Sequence, residues 1–215
     1  MRFVEYKILS GKENMALDEE LLESAILTNS EPILRFYGWS EPTLSFGRNQ
    51  QIPEKNDFPT VKRITGGRAL LHAKELTYSF ICAQDFLKKG ASVINSYKEI
   101  SNGLILGFQK LGIKLEFPSY KKISTNHGYC MNLSTGSDLS YKNKKFVGSA
   151  QARKKGYILQ HGSILLDYDA QLLEEIFDEK VTDIISLKEI DPTLCNIPRL
   201  CSAIKKGFEQ NFDVQ

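Results

Sequence analysis

The sequence predicts an α+β fold, a largely antiparallel mixed sheet flanked by helices, and three features carry that expectation. Three strand-like runs, residues 138–141, 145–153 and 157–166, are joined only by Lys142-Asn143-Lys144 and Lys154-Lys155-Gly156. Connectors this short make hairpins, so the three runs form an antiparallel meander. Long helical patterns stand apart from it, at residues 93–111 and 198–212. Strands and helices also fail to alternate strictly, as a parallel sheet with crossovers requires.

The remaining elements follow in order. Asn14 is placed to cap a helix running to about Leu27, with Leu17, Leu21, Leu22 and Ala25 on its apolar face. Residues 33–37 read as a strand, and Gly38, Pro42 and Gly47 interrupt the segment after it. Residues 75–82, rich in Thr, Tyr and Phe, read as a second strand. Gly112 is positioned to end the helix of residues 93–111, and residues 114–117 read as a short strand. Residues 118–136, polar and broken by Pro and Gly, read as a loop. Asp169 is placed to cap a helix through Phe177.

Composition excludes several classes of protein. The chain has 215 residues, 41% hydrophobic and 25% charged, which suits one generous domain with a sizeable core. A net charge of +2 is too weak to argue for nucleic acid. Neither a signal peptide nor an apolar run of membrane-spanning length is present, so the expected location is the cytoplasm and no membrane partner is expected. The four cysteines then read as reduced thiols. No Cys-x-x-Cys pair accompanies the three scattered histidines, so no metal site is expected. Neither a Gly-x-Gly-x-x-Gly fingerprint nor a Walker loop occurs.

Four segments are able to carry chemistry. In Arg63-Ile64-Thr65-Gly66-Gly67-Arg68-Ala69-Leu70-Leu71-His72, two glycines permit close backbone approach to a ligand, with N–H groups free to hold an anion or polarise a carbonyl. The plainer alternative is a tight turn between solvated arginines. In Lys145-Phe146-Val147-Gly148-Ser149-Ala150-Gln151, a lysine entering a strand can hold its ammonium over a pocket. On sequence alone, a solvated edge lysine is the simpler reading. His161, beside Gly162 and Ser163, reads as a satisfied core histidine. Cys130 sits in a glycine-containing loop, His127-Gly128-Tyr129-Cys130-Met131, as either a nucleophile or a small hydrophobe. Cys82 lies in an apolar strand and reads as core.

Taken together these segments resemble the biotin/lipoate protein ligase family. The likeness runs from Asn14 to about Asp167 and includes Asn14-Met15-Ala16-Leu17-Asp18-Glu19, Leu34-Arg35-Phe36-Tyr37-Gly38-Trp39, Pro42-Thr43-Leu44-Ser45-Phe46-Gly47, the run from Arg63 to His72, Glu75-Leu76-Thr77-Tyr78-Ser79, the run from Lys145 to Gln151, and His161-Gly162-Ser163. Within the family the chain resembles most the ligase-like octanoyltransferases. Arg68 stands where ligases carry a third glycine, Cys130 precedes Lys145 in the register of the nucleophilic cysteine, and the chain ends at Gln215 without room for the ligases' C-terminal accessory domain.

The resemblance implies a single catalytic domain over residues 1–215. It implies transfer of octanoate from acyl carrier protein, through a thioester on Cys130, to a lysine of the glycine-cleavage H protein or of a dehydrogenase E2 lipoyl domain. Lys145 would stabilise the thiolate or oxyanion, or relay a proton. Arg63, Gly66, Gly67, Arg68, Leu70, His72, Gly148, Ser149, Gln151, His161 and Gly162 would bind substrate. Leu70 and Leu71 would wall the acyl chain, and His72 would fix the loop. No cofactor is implied, and a monomer is expected. Met131 and the ligase-like Gly47-Arg48-Asn49-Gln50 keep an alternative open: ATP-dependent lipoate ligation, with ATP and Mg as cofactors. A non-catalytic binder of lipoyl or acyl-carrier domains is the rival of a different class.

Overall fold

The computed structural model describes residues 1–54, 56–118 and 138–213. In chain order its elements are β1 (Arg2–Leu9), α1 (Gly11–Thr28), β2 (Ile33–Trp39), β3 (Thr43–Phe46), β4 (Thr60–Lys62), β5 (Leu70–His72), β6 (Glu75–Ala83), α2 (Val93–Gln109), β7 (Leu139–Tyr141), β8 (Lys144–Lys154), β9 (Tyr157–Leu165), α3 (Ala170–Phe177), α4 (Leu187–Ile190) and α5 (Ile197–Asn211). Among the described residues the larger sheet has the order β1-β2-β6-β9-β8-β7, and a smaller one the order β4-β3-β5. Among the described strands β1–β2 and β3–β4 pair in parallel and the others antiparallel, and an isolated parallel bridge joins Lys145 to Ile184. The α+β, largely antiparallel expectation therefore holds.

Turn chemistry fixes the meander. Lys142 and Asn143 between β7 and β8, and Lys155 and Gly156 between β8 and β9, all have positive φ. Two such residues in succession match the twist of the flanking strands. The resulting register sets Ala150 opposite His161 and Gly148 opposite Ser163.

The two faces of the larger sheet bury different partners. On one, Leu34, Leu76, Tyr78 and Phe80 pack against Leu104 and Phe108 of α2 and Leu200, Ile204 and Phe208 of α5. Each fully buried side chain of this kind contributes about 1.5–3 kcal/mol. The two helices meet backbone to backbone. A Cβ on Gly207 would lie 2.3 Å from the carbonyl oxygen of Gly103, so only glycine fits there. On the other face, Leu21, Leu22 and Ala25 of α1 cover Ile33, Ile81 and Leu159. The smaller sheet stands beside α1. Its Leu44, Phe46 and Leu71 pack with Leu165, with Leu173 of α3 and with Ile184.

Several expectations need correction. Asn14 does not cap α1. Ser10 does, in a capping box with Glu13, and the helix starts at Gly11. Asn14 is instead fully buried one turn in. Gly38 does not end β2, which runs on to Trp39. Residues 114–117 form no strand, only an isolated bridge between Glu116 and Ser140. Strands β1, β3, β4 and β5 and helix α4 were not foreseen. The other predicted elements stand: β2, β6, α2, the β7–β9 meander, α3 capped by Asp169, and α5. Of the loop predicted at residues 118–136, all but Pro118 lies outside the described residues, and Cys130 with it.

Candidate active site

A cavity opens between the two sheets, beside the N-terminal half of α1. Its walls are Met15 of α1, Tyr37 and Trp39 of β2, Arg63 and Gly67 of the loop after β4, and Leu70 and His72 of β5. Thr77 of β6, residues 148–150 of β8 and His161, Gly162 and Ser163 of β9 complete it. Eight of the residues singled out from sequence thus meet in one place: Arg63, Gly67, Leu70, His72, Gly148, Ser149, His161 and Gly162. The cavity is narrow, about 50 Å³.

The glycine loop is held by two parallel relays of carboxylate, imidazole and hydroxyl. In the first, Asp18 Oδ2 lies 3.2 Å from His161 Nδ1, and His161 Nε2 lies 2.8 Å from Thr65 Oγ1. In the second, Glu75 Oε1 lies 2.7 Å from His72 Nδ1, and His72 Nε2 lies 2.6 Å from Ser45 Oγ. A carboxylate only accepts, so each Nδ1 carries the proton. With its proton on Nδ1, the neutral His161 ring accepts a hydrogen bond from the Thr65 hydroxyl at Nε2. Arg63 donates to the Ser45 hydroxyl, to the carbonyl of Gly66 at 3.3 Å and to that of Arg68 at 2.8 Å. Arg63 is therefore buried and spent on the loop, the opposite of a solvated shoulder.

Gly67 needs to be glycine on its own account, with φ of +95°. Gly47 allows the close approach of β3, because a Cβ there would sit 2.2 Å from the Gly67 carbonyl oxygen. Gly66 and Arg68 belong to this loop but do not line the cavity.

Beneath the first relay lies a buried charge network. Arg35 donates to Asp18 Oδ1 at 2.7 Å and to Asn14 Oδ1 at 2.6 Å, and its guanidinium carbon stacks 3.9 Å over the Tyr37 ring. Tyr37 donates its hydroxyl to Asp18 Oδ2 at 3.0 Å. Burial alone would push the Asp18 carboxyl up, but His161 and Arg35 together hold it below the usual carboxylate range. Burial pushes His161 below its ordinary value, against the pull of Asp18. Burial works against Glu75 too, and the charge and hydrogen bonds supplied by His72, Ser163 and Thr77 bring it below its ordinary value.

Lys145 is not a solvated edge lysine. It is 2% exposed and its Nζ lies 3.0 Å from Asp138 Oδ2, on a side chain equally buried. Asp138 also accepts from the Ser149 N–H at 3.3 Å, tying the pair to the cavity wall. His161 is buried as expected of a core histidine, yet it lines the cavity as well. Gln151 faces away: its amide donates to Gln160 at 3.1 Å and its carbonyl oxygen accepts from Arg153 at 3.2 Å, beside α2. Leu71 turns towards α3 while Leu70 lines the cavity. Cys82 is buried and its thiol is pushed up by burial, consistent with core. Among the described residues no group of three or more His, Cys, Asp or Glu could hold a metal, and no helix is long and apolar enough to cross a membrane.

Sequence reasoning did not single out Asp18, Arg35, Thr65, Glu75 or Asp138 as site residues. The available signal was a charged or polar residue inside an otherwise apolar run: Arg35 in Ile33-Leu34-Arg35-Phe36, and Asp18 on the leucine face of α1.

The arrangement has close relatives. The chain is 41% identical over 221 residues to the octanoyltransferase LipM of Carboxydothermus hydrogenoformans, covering 99% of this chain and 80% of that protein. It is 34% identical over 240 residues to the octanoyltransferase LipM of Bacillus subtilis, covering 99% and 86%. Its fold is that of a putative lipoate protein ligase from T. acidophilum, with a TM-score of 0.78 at 20% identity over 100% of this chain and 86% of the other. A biotin protein ligase from Aquifex aeolicus is more distant, with a TM-score of 0.53 at 12% identity over 99% and 68%. The lipoyl protein ligase A/B catalytic domain matches residues 10–214, and the chain belongs to that family.

Proposed function

We propose that this protein is an octanoyltransferase of lipoate biosynthesis, an acyltransferase that acts on an acyl donor protein and a lipoyl-accepting protein. The observation that carries this reading is the 41% identity, over essentially the whole chain, to a LipM octanoyltransferase. The donor in this reading is octanoyl acyl carrier protein, and the acceptor is a glycine-cleavage H protein or an E2 lipoyl domain. Residues 1–215 act as one catalytic domain, as a monomer in the cytoplasm.

The chemistry runs in two displacements. The Cys130 thiolate attacks the donor thioester carbonyl, a new C–S bond forms, and the carrier thiolate leaves and takes a proton. The acceptor lysine amine then attacks the acyl-Cys130 carbonyl. The amide bond forms, the C–S bond to Cys130 breaks, and the amine's proton ends on the departing thiolate. A free thiol has a pKa of about 8.5, so a neighbouring cation matters for the first step. Lys145, buried beside Gly148 and Ser149, supplies it and faces the negative charge that grows on the carbonyl oxygen. The acyl chain enters the cavity by displacing Met15 and Leu70, since an unbranched Met side chain adapts readily. Because the donor is already a thioester, the reaction draws no energy from ATP.

Intact-mass measurement tests this directly. Mixing with octanoyl acyl carrier protein should give a hydroxylamine-labile octanoyl adduct, absent in Cys130→Ala. Labelling that needs lipoate, ATP and Mg and survives Cys130→Ala would identify a ligase instead.

A further inference from the structure

Glu75 stands between two cavities. Its three hydrogen-bond partners, His72, Thr77 and Ser163, all line the cavity of the candidate active site. Glu75 itself lines a second hollow on the far side, walled mainly by Leu71, Leu165, Tyr168, Leu172 and Leu173, with the exposed Lys74 and Asp169 and the half-buried Asp167 beside them. The strand pairing explains the placement. Glu75 and Thr77 point to the same face of β6, opposite Leu165 and Ser163 of β9, so one step along the strands leads from the first cavity to the second.

The space behind Glu75 exceeds the space in front of it. The second hollow is about 150 Å³, against about 50 Å³ for the first. An apolar cavity of roughly 150 Å³ holds a six-carbon ring such as benzene. A medium-length acyl chain reaching the floor of the first cavity therefore has room beyond it, and what closes that room is a buried carboxylate with every oxygen engaged. An alkyl chain cannot replace those hydrogen bonds, so pushing Glu75 aside would leave a buried charge and an imidazole N–H unpaired.

Building on the octanoyltransferase reading, we propose that Glu75 is the acyl-length stop: held by His72, Thr77 and Ser163, it forms the polar floor that ends the acyl pocket and bars longer chains from the second hollow under α3. Glu75 is a specificity-determining residue and takes no part in bond making.

The test compares octanoyl and dodecanoyl acyl carrier protein as donors, following acyl-enzyme formation and transfer to a lipoyl domain by intact mass. In Glu75→Ala the dodecanoyl rate should rise in absolute terms, and the octanoyl-to-dodecanoyl ratio of kcat/KM should fall roughly tenfold or more, since one methylene in an apolar pocket already shifts specificity by about that much. Glu75→Gln, which keeps the volume, should keep the wild-type ratio. Adding Leu173→Phe to Glu75→Ala should refill the hollow and restore the preference for octanoyl. If Glu75→Ala does not fold, Glu75→Ser carries the same comparison with a hydroxyl left for His72. A folded variant that loses both activities in proportion, or keeps the ratio, overturns the length stop while leaving octanoyl transfer intact. A wild-type protein that transfers neither chain overturns the functional reading and the stop with it.

Discussion

Thr65 Oγ1 and His161 Nε2 meet at 2.8 Å although 96 positions separate them in the chain. One belongs to the glycine loop of the smaller sheet's side, the other to the central region of the larger sheet. Their hydrogen bond joins the two walls of the cavity, and Asp18 behind His161 fixes which imidazole nitrogen faces the loop. Thr65→Val keeps the shape and removes the donor, leaving a buried acceptor unpaired. The expected cost is about 1–3 kcal/mol in urea unfolding, with a fall in acyl transfer because the Gly66-Gly67 backbone is no longer held. Unchanged unfolding would show that the bond carries no weight.

Lys145 and Asp138 allow stability and catalysis to be separated. Lys145→Met should cost about 3–5 kcal/mol, because it strands a buried carboxylate. It should also lower acyl transfer by about 100-fold or more, as loss of a charge-stabilising donor does. The double variant Lys145→Met/Asp138→Leu removes both charges. It should recover most of the stability and none of the activity, read by urea titration and single-turnover acylation. Recovery of transfer in the double variant would remove Lys145 from the mechanism.

The pH dependence of stability follows from three groups whose values are all lowered on folding: His161, Asp18 and Glu75. In the unfolded chain a histidine takes up its proton at about pH 6.5 and the two carboxylates at about pH 4. Between neutrality and that lower range the unfolded state binds the more protons, so stability rises with pH there. The urea midpoint should be flat near pH 7–8, fall as pH drops through about 6.5, and fall again below about 4.5. His161→Gln should erase the first drop and keep the second.

Gly162 leaves no room for a side chain. A Cβ there would lie 2.6 Å from Tyr78 Cε1 and 2.7 Å from the carbonyl oxygen of Gly148, which belongs to the facing strand. Gly162→Ala should therefore cost about 1–3 kcal/mol, measured by thermal melting. It should also reduce transfer by pushing β8 away from the cavity. Wild-type values for both would show that the facing strand yields freely.

Local chemistry made part of this protein legible in its sequence. Lys142-Asn143-Lys144 and Lys154-Lys155-Gly156 announce their hairpins because turn geometry is decided within a few residues. The apolar spacing of α2 announces a helix for the same reason. β1 was hidden because its edge position leaves Arg2, Glu5, Lys7 and Ile8 exposed, with no clean alternation. β3 was hidden because four residues between Pro42 and Gly47 resemble a loop until β4 and β5 flank them. The site divides in the same way. Its glycines and Lys145 could be found by motif, whereas Asp18 and Arg35 show only as charges set among apolar residues, and Glu75 looks like an ordinary surface charge. Only the tertiary fold buries them, pairs them and turns them into supports. Asn14 shows the same confusion in reverse, since a residue suited to capping is used instead to donate to the carbonyl of Gly38 at 2.9 Å.

The turn at Lys155-Gly156 lies at the far end of β8 and β9 from Lys145, and it works as a gauge. Because side chains alternate along a strand, the length of this turn decides which residues of β8 look into the cavity. One inserted residue would slide Gly148 and Ala150 out of line with Ser163 and His161, and would turn apolar Val147 towards the site. Many residues are acceptable in the turn so long as their backbone can bend the same way, yet no change of length is. A distant, solvent-facing turn thus helps to set the alignment of the cavity wall.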